Sequence, residues 1–211
     1  MLYRETVSSE LLELLERLMK VEDLQSLRLV GGTALALQLG HRNSVDIDLF
    51  GQHEMDEQHL NGVLSAYATV EQLRGSKSIK VFLINGVKVD LVNYSYPWLD
   101  PVLEIENIRM ASVRDIAAMK IAAITQRGSK KDFIDLYFLL QQFSLTEILA
   151  FYKQKITDGN EWMALRSIPY FDDADRQPMP AMYADISWEA IKESIVKAIV
   201  AHGGFGGVGN V

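Results

Sequence analysis

The chain has 211 residues, 48% hydrophobic and 23% charged, a balance that supplies one large or two small buried cores and excludes wholesale disorder. A net charge of −7 argues against indiscriminate polyanion binding, and the absence of cysteine removes disulfide partners, thiolate zinc sites and cysteine nucleophiles, leaving oxygen or imidazole to hold any metal. No apolar run reaches the roughly 18 residues of a membrane span, and Met1 to Glu5 lacks the basic-then-apolar start of a signal peptide, so a cytoplasmic protein with no membrane partner is expected.

In chain order, Ser8 and Ser9 precede apolar residues at 11, 12, 14, 15, 18 and 19, the spacing of an amphipathic helix that covers a sheet. Arg28 to Val30 reads as a short strand ending in Gly31-Gly32, and Thr33 to Leu39 as a helix stopped by Gly40. Ser44 to Phe50 is the next strand, with Val45, Ile47 and Leu49 expected on its apolar face, and residues 56 to 68 carry a helical pattern. His53 and His59 have the wrong spacing for a zinc-protease helix and are expected on the surface. Strands are expected over 70–74, 78–84 and 87–93, the last two joined through Asn85-Gly86, a strong two-residue hairpin signal.

After Pro97 and Pro101 the texture turns helical. Ser112 to Asp115 has the form of a capping box opening a helix to Arg127, and Ser129 to Asp132 repeats it for a helix to about Gln141. A third helix is expected over 145–155 and a last one over Trp188 to Ala201, separated by a loop-rich stretch from 157 to 182 that holds Pro169, Pro178, Pro180 and the acids Asp172, Asp173 and Asp175. The expected division is a mixed sheet-and-helix half (1–108), a mostly helical half (109–202) and a flexible tail (203–211).

Chemistry concentrates at Asp46 and Asp48. On an extended strand residues i and i+2 project to the same side, so both carboxylates can reach one cation or an adjacent pair. A lone Asp-x-Asp usually caps a turn or faces solvent, but here Gly31, Gly32 and Thr33 end the preceding strand and open a helix, where backbone amides can approach phosphate oxygens. The run from Gly31 to Leu37 is not a Walker loop, since it lacks Gly-Lys-Ser/Thr. Asp90, alternating with Val89 and Leu91, must meet solvent, a cation or a positive side chain. If its hairpin packs beside the Asp46 strand, three carboxylates converge and can hold two magnesium ions about 3.5 to 4 Å apart. Lys120 and Arg127, seven residues apart on nearly one helical face, can together meet a triphosphate.

Gly31-Gly32-Thr33 through Arg42-Asn43-Ser44-Val45-Asp46-Ile47-Asp48-Leu49-Phe50, followed by Val89-Asp90-Leu91, resembles the nucleotidyltransferase core of the DNA polymerase beta superfamily. The block from Ala118 through Lys120, Arg127, Lys130, Lys131 and Asp132 to Asp135 resembles the AbiEii/AbiGii toxin family more narrowly, and Tyr170 to Ala174 with Pro178 to Pro180 fits the same family. The resemblance implies an α/β (α+β) fold, a small mixed nucleotidyltransferase sheet flanked by helices and followed by a mostly helical half, with the nucleotide between them. It implies that Asp46 and Asp48 bind metal with Asp90, that Gly31, Gly32 and Thr33 cradle phosphate with Arg42, Ser44 and Arg127 contributing to nucleotide binding, and that Lys120 and Asp135 complete the active centre. The implied activity is Mg2+-dependent transfer of a nucleoside monophosphate from NTP to an acceptor hydroxyl, RNA and above all a tRNA 3′ end, by a toxin with a cognate antitoxin partner.

Two other readings stay open at this point: protein AMPylation through the same donor chemistry, and a non-catalytic binding or antitoxin module that keeps the fold. Arg42 can steady its strand or touch nucleotide. Lys130 and Lys131 fit a solvated helix start or an RNA-phosphate contact, and Tyr94, Tyr96 and Trp98 fit packing more readily than base stacking.

Overall fold

The computed structural model describes residues 1–52, 57–65 and 69–203 and divides into two compact units, Met1–Ser112 and Val113–Val211. In the first, a 3-10 turn (Arg4–Thr6) leads to α1 (Ser9–Leu18), capped by Ser8, whose hydroxyl accepts from Leu11 N at 3.2 Å. Its buried face is Leu11, Leu14, Leu15 and Leu18, each side chain contributing about 1.5–3 kcal/mol by leaving water.

β1 (Arg28–Leu29) runs directly into α2 (Gly31–Leu39), which ends at Gly40 in the left-handed region with φ 70°. There follow β2 (Asp46–Gly51), α3 (Glu57–Ser65), β3 (Val70–Gly75), β4 (Ile79–Ile84), β5 (Val87–Asn93), β6 (Leu103–Ile105) and β7 (Ile108–Met110). The rest of the helical pattern expected over 56–68 lies outside the described residues, as do His53 and the side chain of His59. Among the described residues the strands form one seven-stranded sheet in the order β3-β4-β5-β2-β1-β7-β6. β2 pairs in parallel with β5 and β1 with β7, while the remaining pairs are antiparallel, so the sheet is mixed. Its core rows include Leu29, Ile47, Leu49, Phe82, Val89 and Leu91, all nearly or fully buried.

Asn85 and Gly86 adopt φ of 49° and 81°, the primed turn that their dipeptide predicts between β4 and β5. The β6–β7 hairpin departs from expectation, because residues after Pro101 read as helical. Three-residue strands offer too little alternation to see, and the turn places Glu106 at φ 53° before Asn107 at 64°. The Glu106 carboxylate accepts from Leu2 N at 3.2 Å and Arg4 Nε at 2.8 Å, tying the N-terminus to this turn. With β7 in the sheet, the first unit continues past the expected boundary at 108 to Ser112.

The second unit comprises α4 (Val113–Gln126), α5 (Lys130–Leu139), α6 (Leu145–Lys155), α7 (Glu161–Ser167), α8 (Asp172–Asp175) and α9 (Trp188–Ala201). α4 packs against α5, α6 and α7, and α5 against α8 and α9. Phe133, Phe171 and Trp188 meet edge to face at 5.0 to 6.2 Å and anchor the latter group. Ser144 and Glu147 form a full capping box on α6. The stretch expected to be loop-rich contains α7, capped by Asn160, and α8, whose Asp175 is no idle loop charge: it accepts from Trp188 Nε1 at 2.6 Å and Lys192 Nζ at 2.9 Å. The tail beyond Gly203 lies outside the described residues.

Asp115, read from sequence as a capping residue, receives Lys155 Nζ at 2.8 Å, both side chains fully buried, and joins α4 to α6. Breaking a buried pair leaves a charge without its counter-ion, whereas replacing both partners removes the desolvation cost as well. Lys155→Met is expected to destabilise the chain by about 3–5 kcal/mol, and Asp115→Leu added to it to recover most of that loss. Urea unfolding checks this; a single variant as stable as the parent contradicts it.

Candidate active site

Asp46, Asp48 and Phe50 lie on one face of β2, alternating with buried Ile47, Leu49 and Gly51. Val45, expected on the apolar face, is 52% exposed because the strand begins one residue later. In the parallel pairing with β5, Asp48 stands directly beside Asp90, and Asp46 beside Lys88. Like charges in register repel. The sheet answers with Lys88, two residues before Asp90 on the same face, whose Nζ lies 2.7 Å from Asp90 Oδ2. Alternation along β5 points to Lys88, although attention to the acids alone passes over it.

Asp90 Oδ1 is buried and has no hydrogen-bond partner among the described residues, a state that a polar atom seldom keeps without a ligand or water. Among the described residues no three acidic or histidine side chains gather round one point. The carboxylates are neighbours on one sheet face, with Lys88 ion-paired to Asp90. All the donors are oxygens, the chemistry that a hard divalent cation prefers, and the orphaned Asp90 oxygen fits such a ligand.

The glycine turn presses on these acids. Gly31 has φ 69°, and a Cβ there would collide with the Asp48 carboxylate; a Cβ on Gly32 would collide with the Arg42 guanidinium. Only glycine allows this approach. Thr33 is buried, its hydroxyl bonded to Ser44 Oγ at 2.9 Å and to the Asp46 carbonyl, while Ser44 N donates to Thr6 O at 2.8 Å. Thr33 and Ser44, named from sequence as nucleotide contacts, thus brace the start of β2. Arg42 is 2% exposed, and its Nη1 donates to Asn43 O at 2.9 Å, which favours the strand-steadying reading. Tyr94 packs with Phe50, Tyr96 and Trp98 at 5.3 to 5.4 Å, and the Arg28 guanidinium lies 4.4 Å over Trp98, so these rings serve packing.

In the second unit Lys120 is nearly buried, its Nζ 3.0 Å from Asp132 Oδ1 and 2.6 Å from Asp135 Oδ2. Arg127 reaches the same Asp132 carboxylate at 3.1 Å, and the Ser129 hydroxyl donates to it at 2.6 Å. The two cations expected to meet on a triphosphate meet here on Asp132, a residue that the capping-box reading hid: Ser129 donates to the Asp132 side chain and makes no side-chain cap of its own. Lys130 is buried too, its Nζ bonded to the carbonyls of Asp175 and Gln177 and 5.0 Å from the Trp188 ring, so neither reading made for it holds; Lys131 is exposed.

Burial alone would raise the Asp132 carboxyl. The Lys120 charge, the Arg127 bond and charge and the Ser129 hydroxyl outweigh it and hold the carboxyl at about 2, below its usual 3.8. Because the folded value is the lower, the stabilisation is complete above about pH 4 and is lost as pH falls from there through about 2, a loss on the order of 2 kcal/mol. Asp132→Asn is expected to remove this acid-dependent component from urea-unfolding curves; a variant with the parent's acid dependence contradicts the assignment.

The family model for the nucleotidyl transferase AbiEii toxin, type IV toxin–antitoxin system, matches residues 13–201. The uncharacterized protein aq_aa25 of Aquifex aeolicus (strain VF5) is 35% identical over 189 residues, covering 86% of this chain and 90% of its own. The fold is similar to the crystal structure of JHP933 from Helicobacter pylori, with a TM-score of 0.57 at 20% identity over 93% of this chain and 94% of that one. It is similar also to MenT4, a nucleotidyltransferase toxin from Mycobacterium tuberculosis H37Rv, with a TM-score of 0.54 at 13% identity over 88% and 81% of the two chains. With the glycine turn, the paired aspartates and the Lys120 cluster all inside the matched span, the chain belongs to the AbiEii nucleotidyltransferase toxin family.

Proposed function

We propose that this nucleotidyltransferase moves a nucleoside monophosphate from NTP to a hydroxyl of RNA, with a tRNA 3′ end as the favoured acceptor and magnesium as the required ion. The observation that carries the reading is the register of β2 on β5, which sets Asp48 beside Asp90 on the face shared with Asp46. Magnesium, when bound to these acids, supplies positive charge for the triphosphate and the acceptor oxygen. Gly31 and Gly32 present first-turn amides of α2, which have no intrahelical acceptors, to phosphate oxygens at the favourable end of the helix dipole. The buried Arg42 behind Gly32 adds a fixed positive charge.

The reaction is an in-line displacement: the acceptor oxygen bonds to the α-phosphorus, the bond to the bridging oxygen breaks, and pyrophosphate leaves. The hydroxyl proton passes to solvent water, since Asp90 Oδ1 is the oxygen offered to the cation. In the helical unit Asp132 and Asp135 fix the Lys120 ammonium in place, and Asp135 acts on the lysine. The type IV toxin–antitoxin family and the likeness to MenT4 support a toxin role with a cognate antitoxin as partner. Among the described residues no helix is long and apolar enough to cross a membrane.

Incubation with each labelled NTP, magnesium and either total tRNA or a protein lysate tests the proposal. Label in RNA is the expected result; label in protein favours AMPylation, and no label in either contradicts both. Asp46→Ala and Asp48→Ala are expected to lower transfer by roughly 100-fold or more with unfolding curves unchanged; retained turnover removes these residues from the mechanism. Lys88→Met, which frees Asp90 Oδ2 from a half-exposed ion pair worth no more than about 1 kcal/mol, is expected to tighten magnesium binding about fivefold by calorimetry. Unchanged or weaker binding would show that Lys88 does not compete with the ion.

A further inference from the structure

The helical unit carries a cleft of about 260 Å³ that no step above uses. One wall is the end of α4 and the turn after it, with Thr125 and Arg127; the other is the end of α7 and its exit, with Arg166, Ser167 and Tyr170. We propose that this cleft binds one nucleotide unit of a single-stranded RNA acceptor, with Arg166 and Arg127 on its phosphate and Tyr170 stacked on its base. The proposal rests on the RNA reading given above.

Two guanidinium groups line the cleft. The Arg127 side chain is 68% exposed even while its Nε holds Asp132. Arg166 is exposed, lies 4.6 Å over the Trp162 ring, and forms no ion pair among the described residues. Flat forks of this kind match phosphate oxygens and stack on rings, which a lysine does not do. Tyr170, which lines the cleft, is 54% exposed, and Trp162, just outside it under Arg166, is 55% exposed. Aromatic faces interleaved with arginines are the platform on which unpaired bases stack, and stacking tolerates any base.

The Ser167 hydroxyl fits the same ligand. Ser167 Oγ donates to Met163 O at 2.9 Å, so it offers the cleft an acceptor, the partner that a ribose 2′-hydroxyl or an exocyclic amine needs, while the Thr125 hydroxyl is held by Ile121 O and Tyr152. Asp173 also lines the cleft, and its charge offsets part of the attraction of the two arginines for a phosphate. The volume lies just below the usual range of ligand pockets, room for part of one nucleotide and too small for a duplex.

Fluorescence anisotropy of the full chain with a labelled short oligoribonucleotide of mixed sequence tests this, using Arg166→Gln and Tyr170→Ala. Both positions are exposed, and unfolding curves verify that the variants fold. Each variant is expected to weaken RNA binding about tenfold, and Arg166→Gln also to reduce the slope of log affinity against log salt by about 0.7, with NTP affinity unchanged by calorimetry. Oligoribonucleotide bound as tightly by both variants as by the parent overturns the cleft assignment and leaves the RNA reading standing. A parent chain that binds no oligoribonucleotide, and labels protein instead of RNA, overturns both. Displacement of the oligoribonucleotide by a phosphotyrosine peptide at lower concentration overturns the choice of ligand.

Discussion

The structure depends on the cost of holding like charges on one face of a sheet. β2 needs Ile47 and Leu49 in the core, and alternation then commits Asp46 and Asp48 to the opposite face; β5 does the same with Val89, Leu91 and Asp90. Parallel registration sets Asp48 against Asp90, an arrangement that repels unless positive charge is supplied. Lys88 supplies part of it, leaving one buried oxygen of Asp90 with no hydrogen-bond partner among the described residues. That orphaned oxygen is the physical basis for proposing a cation at this face.

Much of the first unit serves to fix that face. Gly31 and Gly32 let the acid and the buried arginine come where a Cβ would stand, the Thr33 hydroxyl ties the start of α2 to the start of β2, and the Ser44 amide ties β2 to the N-terminal turn. Thr33 and Ser44, which resemble ligand contacts in sequence, also brace the start of β2. The second unit solves the opposite problem. There Lys120 is taken out of water, and Asp132 and Asp135 keep its charge matched, with Arg127 sharing Asp132 at the surface.

Legibility in the sequence followed the range of the interactions. Period-two alternation located β2 and β5, and Asn85-Gly86 located the hairpin that joins β4 to β5, since each signal is local. The β6–β7 hairpin escaped because its strands are three residues long and its left-handed Glu106 is held by Leu2 and Arg4 from the far end of the unit. Asp115 and Asp132 occupy positions where a capping acid is common, and their ion-pair partners Lys155 and Lys120 are set by helix packing that no local pattern encodes. Lys88 was legible in principle, as it shares a strand face with Asp90.

The central claim is that Asp46, Asp48 and Asp90 serve one divalent ion site. Its most direct test follows the carboxylate carbon resonances of the aspartates by NMR while magnesium is added. The account predicts that the signals of Asp46, Asp48 and Asp90 shift together along one binding curve while those of Asp132 and Asp135 stay fixed. An Asp90 signal that does not move, or shifts confined to Asp132 and Asp135, would contradict it.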